Sequence, residues 1–141
     1  MPTDRHFWHT LETRASSEAI WRLWTDVPNW KTWDSGLSDA KMQVPFGLGA
    51  RGIIVSLEGR TSAFVVTDCD PGRSYTYQTR LPLGALYVRR SLETAHSGTR
   101  FTHEVWFRGV SGPLFARLFG GVFRTMLPKV MEQVRALAEE T

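Results

Sequence analysis

A chain of 141 residues has the length of one domain and buries roughly 68% of its unfolded surface, enough for a true core. Its 42% hydrophobic and 22% charged residues exclude a disordered or fibrous chain. The net charge of +3 is scattered, with no run of Lys or Arg, so the basic balance predicts no nucleic-acid partner. Cys69 is the sole cysteine, which rules out an internal disulfide and suits a reducing, cytoplasmic setting. The opening MPTDRHFWHTLET has no apolar core of the kind a signal peptide needs.

In chain order, Phe7, His9, Leu11 and Thr13 alternate with polar neighbours, which predicts a first strand with Phe7 and Leu11 inward. Ser16 is a good N-cap for a helix whose apolar face is Ile20, Trp21, Leu23, Trp24 and Val27. Pro28 ends or restarts it. A second helical turn carries Trp30 and Trp33 on one side, and Asp34-Ser35-Gly36 stops it. The period then changes to two. Ala40, Met42 and Val44 mark a strand, and Ile53, Val55 and Leu57 the next. Phe64 and Val66 continue that inward set, and Asp70-Pro71-Gly72 turns the chain. Tyr75 and Tyr77 follow on the same side. Strands over Leu86–Thr94 and Thr99–Arg108 are joined by Ala95-His96-Ser97-Gly98.

The chain closes with one long helix over Ser111–Thr141. Phe115, Leu118, Phe119, Val122, Phe123, Met126, Val130, Val134 and Leu137 form its expected core-facing arc. Gly121 and Pro128 fall opposite. Pro128 is expected to bend the helix, making the Phe-rich half a hinged cover. Arg117 and Arg124 interrupt the apolar stretch, so no transmembrane segment is expected, although a helix lying on a membrane surface stays open.

Strands linked by short loops imply an antiparallel sheet whose apolar face needs a cover, and only the last helix is long enough. The expected fold is α+β: seven antiparallel strands in the order β-α-α-β6-α, one domain over residues 1–141. At this point the chain resembles a family. Ala15-Ser16-Ser17-Glu18-Ala19-Ile20-Trp21, then Thr25-Asp26 and the Trp30/Trp33 pair, are similar to the opening of the START-like (SRPBCC) superfamily. Gly49, the Val66–Gly72 strand and turn, Gly98-Thr99-Arg100 and Gly109 fit its polyketide cyclase/dehydrase and lipid-transport branch. The resemblance implies a curved helix-grip sheet around the long helix, with an apolar cavity between them. Less specifically, it implies a small hydrophobic ligand.

The sharpest chemical signal is in the last hairpin. If Thr94 pairs with Thr99, then Leu92 faces Phe101, Arg90 faces His103, Val88 faces Val105 and Leu86 faces Phe107. A slip by one residue would misplace every apolar side chain. This puts Arg90 and His103 side by side on an apolar inner face. There Arg90 could anchor a carboxylate, phenolate or carbonyl, and His103 could act as a general acid or base. A bland alternative stays open, with Arg90 reaching water at the cavity mouth and His103 in an ordinary polar patch. Tyr75, Tyr77 and Trp33 are the further expected ligand contacts from the sheet and second helix. Phe115, Phe119, Phe123 and Met126 are those from the long helix. No residue set has metal-ligand spacing, and no nucleotide or nucleophile motif is present, so no metal or cofactor is expected. The leading expectation is a binder of a lipid-, quinone- or polyketide-like molecule, monomeric or homodimeric. A cyclase/aromatase-like enzyme in the same cavity and an interaction module with a filled cavity are the alternatives.

Overall fold

The computed structural model describes residues 6–42 and 45–140. Val44 of the expected second strand lies outside them. Seven strands run as β1 (His6–Thr13), β2 (Leu37–Met42), β3 (Arg51–Ser56), β4 (Thr61–Asp70), β5 (Ser74–Leu81), β6 (Gly84–Ala95) and β7 (Gly98–Gly109). They form one antiparallel sheet in the order β1-β7-β6-β5-β4-β3-β2. Only β1 pairs out of sequence, against β7. The chain crosses between the two edge strands through α1 (Ser17–Thr25) and a 3-10 helix (Val27–Thr32). The long helix α2 (Gly112–Glu139) lies mainly against β1 and β7. This is the helix-grip arrangement.

Local chemistry explains the element boundaries. The Ser16 side chain accepts a hydrogen bond from the Ala19 backbone N–H, capping α1. Pro28 sits in the first turn of the 3-10 helix, where its missing N–H costs nothing. The β6–β7 hairpin has the expected register throughout, from Leu86 opposite Phe107 to Thr94 opposite Thr99. The core between sheet and helices is built on Trp24, Trp30, Trp33, Tyr75, Phe7, Phe101, Ile20 and Met131, all nearly inaccessible to solvent.

Two expectations change. In β3 the inward residues are Gly52 and Ile54, whereas Ile53 and Leu57 are exposed. Gly52 pairs with Phe64, whose ring occupies the space a side chain would need. A bulky inward residue there would collide with Phe64, so the phase of β3 is set across the ladder. The arc of α2 is also rotated in its first half. Gly112, Ala116 and Gly120 face the sheet, while Leu118, Phe119 and Val122 are exposed. A Cβ on Gly120 would come within 2.9 Å of the Phe7 ring, so the small residues permit close approach of helix and sheet. Beyond Pro128, the buried Val130, Met131, Val134 and Ala138 keep the second half docked. Thr13 Oγ1 donates to Glu139, tying the end of α2 to the end of β1.

Candidate functional site: a buried arginine in an aromatic box

One rung of the sheet is polar on its inner side. His9 lies opposite His103, His103 opposite Arg90, Arg90 opposite Tyr75, and Tyr75 opposite Cys69. The last member owes its place to a register shift in β4 between Val66 and Asp68. Such a bulge reverses the phase of alternation, so Cys69 turns inward instead of the aspartates beside it.

Arg90 is the centre of this rung. It is 4% exposed, so it does not reach water at a cavity mouth. Its guanidinium carbon lies 4.8 Å from the Trp33 ring centroid, 5.0 Å from Trp30, 5.5 Å from Tyr77 and 5.7 Å from Tyr75. Four ring faces therefore surround the charge, each a favourable quadrupole partner in a desolvated setting. Arg90 Nη1 donates to the Tyr75 hydroxyl at 2.6 Å. Its Nε–H is buried and has no acceptor, and the indole N–H of Trp33 is likewise unmatched. Among the described residues no carboxylate stands within ion-pair distance of Arg90. Asp34 is the acid whose charge it feels, and burial holds the Asp34 carboxyl above its usual range against the pull of Arg90. Asp34 also accepts from the Gly36 backbone N–H at 3.0 Å, so its expected role at the turn is kept.

Trp24 organises the polar atoms around this charge. Its carbonyl accepts from the Tyr75 hydroxyl at 3.0 Å and from the Trp30 indole at 2.9 Å. Its own indole N–H donates to His103 Nε2 at 3.1 Å. That bond assigns His103 the neutral tautomer protonated at Nδ1. Burial, then the Arg90 charge and His9, hold the His103 pKa well below its ordinary value. Burial raises the hydroxyl pKa of Tyr75 and of Tyr77, with Arg90 opposing in both, so both phenols are neutral donors.

The structure thus brings Arg90, His103, Tyr75, Tyr77 and Trp33 together. Met126 of α2 lies against Gly36, at the turn after the 3-10 helix, with no contact to Arg90 shown. Phe123 lies beside Phe7 and Phe107 at the sheet end of the same helix. Phe115 and Phe119 stack on each other, and Phe119 is exposed, so the outermost turn does not deliver both rings to the interior. Trp24, His9 and Asp34 are not among the site residues expected from sequence, where they serve as packing, strand and turn positions. A usable signal existed for Trp24, since a buried indole N–H needs an acceptor and His103 was an expected inward one. Rings of Trp24, Trp30 and Trp33 fill much of the grip. Beside them, a pocket of about 430 Å³ opens at the rim, lined by Trp21, Thr25, Phe46, Leu48 and Cys69. The Tyr75 ring packs on two residues of this pocket, Phe46 with centroids 4.6 Å apart and Trp21 with centroids 5.8 Å apart, and its hydroxyl meets Arg90.

The fold is that of a START-like (SRPBCC) helix-grip domain, here with Arg90 buried on the inner side of its sheet. The chain belongs to the polyketide cyclase / dehydrase and lipid transport family, whose profile matches residues 5–139. Among solved structures it is similar to protein MLL2253 of Mesorhizobium loti, with TM-score 0.77, 20% identity, and 97% and 98% of the two chains covered. It is also similar to the di-domain ARO/CYC StfQ of the steffimycin biosynthetic pathway, with TM-score 0.75 and 15% identity. That alignment covers 97% of this chain and 52% of StfQ. Norcoclaurine synthase of Thalictrum flavum, solved with dopamine and hydroxybenzaldehyde, gives TM-score 0.72 and 14% identity, covering 96% and 87%. At these identities the likeness is one of fold. No curated protein matches the chain in sequence.

Proposed function

We propose that this domain binds a small aromatic or apolar molecule through an anionic or carbonyl end held at Arg90. The observation that carries the reading is the unmatched charge. A guanidinium taken out of water costs several kcal/mol, and its natural compensation is a contacting carboxylate; among the described residues none forms an ion pair with Arg90, and buried Asp34 acts on it only at longer range. Rings and one phenol lower that cost but leave Nε–H free for a ligand oxygen. Trp33 offers a second free N–H from the ring that lies on the guanidinium. Tyr77 supplies apolar wall, and the Tyr75 ring packs against Phe46 and Trp21 of the rim pocket on one side while its hydroxyl meets Arg90 on the other. Aromatic ligands are the favoured class because the box is itself aromatic. Norcoclaurine synthase, of the same fold, holds two small aromatic compounds, which supports the class by analogy.

A cyclase-like reaction that works by holding a substrate folded would use the same anchor. Proton transfer by His103 is less favoured, because its Nε2 lone pair is engaged by Trp24 and it is neutral near pH 7.

Trp30 and Trp33 flank the charge, so intrinsic fluorescence reports occupancy. Native mass spectrometry of freshly purified protein, followed by fluorescence titration with aromatic carboxylates and aldehydes, tests the reading. Arg90→Ala is expected to weaken a carboxylate ligand by about tenfold to a hundredfold, the worth of one charged hydrogen bond. Unchanged affinity in a folded Arg90→Ala protein would sink the anchor role.

A further inference from the structure

The tip of the domain carries a feature that ligand binding does not use. The β5–β6 turn and the β7–α2 junction meet there, joined by the Ser111 N–H donating to the Leu83 carbonyl at 3.2 Å. Leu83 is 79% exposed and Val110 is 85% exposed. Leu114, Leu118 and Val122 continue from Val110 in four-residue steps along the outward face of α2, all at least half exposed. Leu118 lies diametrically opposite the Gly112, Ala116 and Gly120 face that packs on the sheet. The result is an apolar strip roughly 18 Å long on the outside of the helix. A soluble surface does not ordinarily concentrate large apolar side chains in this way.

The segments that carry the strip and the tip are basic in sequence. From residue 105 to 131 the sequence contains Arg108, Arg117, Arg124 and Lys129 and no acid, and from residue 71 to 92 it again contains no acid. Arg80 and Arg108 flank Ala85 on one rung beside the tip, and both are exposed. Arg124 lies over the Phe7 ring at 4.9 Å, at the flank of the strip. Two copies of the strip face to face would set Arg117 and Arg124 of one copy near those of the other, on a helix stretch that holds no acid from residue 112 to 131. A surface of anionic headgroups over an apolar layer satisfies both components at once. No described helix is long and apolar enough to cross a membrane, so the strip can only lie along one.

We propose that the tip docks on an anionic lipid bilayer, with the first turns of α2 lying in the headgroup layer. This stands independently of the Arg90 site. The test is co-sedimentation of the full chain with phosphatidylcholine vesicles, with and without phosphatidylglycerol. Binding is expected only with phosphatidylglycerol and is lost as salt rises, because the interaction is screened. Arg117→Ala should lower partitioning about fivefold, the worth of one basic residue at such a surface. Leu118→Glu should abolish it while circular dichroism and Tm stay unchanged, since the side chain is exposed. Three results would overturn the proposal: no binding to anionic vesicles at low salt, equal binding to neutral ones, or binding indifferent to Leu118→Glu. A concentration-dependent dimer in ultracentrifugation, lost in Leu118→Glu and accompanied by no vesicle binding, would assign the strip to a second copy of the chain instead.

Discussion

Arg90 can be tested through stability as well as affinity, and the two should move in opposite directions. Replacing a buried ion pair by apolar residues of similar volume is often neutral or stabilising by about 1–4 kcal/mol, and an arginine without a contacting carboxylate has less pairing to lose. Arg90→Met is therefore expected to raise the denaturation midpoint while abolishing retention of acidic ligands. A structural arginine would lose stability instead. His103 gives a pH signature. Its folded pKa lies below the unfolded value near 6.5, so the unfolded chain binds the extra proton. Stability is whole above about pH 6.5 and falls as pH drops toward the folded pKa, by up to about 1.4 kcal/mol per unit. Asp34 works in the opposite sense: its raised pKa makes acid relieve a penalty that is present at higher pH. Thermal melts across pH 5 to 7 should show the decline flattened in His103→Gln. The Arg90–His103 pairing was legible because alternation in both strands and the hairpin loop fixed one register. The inward turn of Cys69 was not, because a bulge follows from backbone geometry and not from residue type.

The α2 helix shows what hydrophobic patterning misses. Its first half carries Leu114, Phe115, Leu118, Phe119, Val122 and Phe123, which cover much of the circumference, so the largest side chains could not mark the core side. The buried stripe is instead Gly112, Ala116 and Gly120, residues that contribute little to any hydrophobic sum. Adjacent glycines make the distinction measurable. Nothing lies within 4 Å of a Cβ placed on Gly121, so Gly121→Ala should stabilise by about 0.5–1 kcal/mol through helix propensity. Gly120→Ala gains the same propensity but pushes on Phe7, and a net loss of about 1–3 kcal/mol in urea unfolding is expected. In the second half the large apolar residues Val130, Met131, Val134 and Leu137 fall on one narrow face, and there Val130 and Val134 are core as expected.

Across the whole molecule, the helix-grip topology was readable because short turns leave consecutive strands no choice but antiparallel pairing, and one long helix remained to cover them. The β1–β7 pairing closes the order across nearly the full sequence, and the helical crossing between β1 and β2 spans the grip. That crossing supplies Trp24, Trp30 and Trp33, so one segment joins the sheet edges and also walls the Arg90 box. A side chain's local pattern does not disclose such double use, which is why Trp24 was read as packing alone.

Leu83 has a backbone φ of +58°, a conformation that suits Gly or Asn and costs a leucine about 1 kcal/mol or more. The chain thus holds an apolar side chain in water on a backbone that disfavours it. An apolar side chain held in water at a cost to the fold is a feature that the proposed lipid-docking tip would use. Leu83→Asn should accordingly melt higher and adhere less to anionic vesicles.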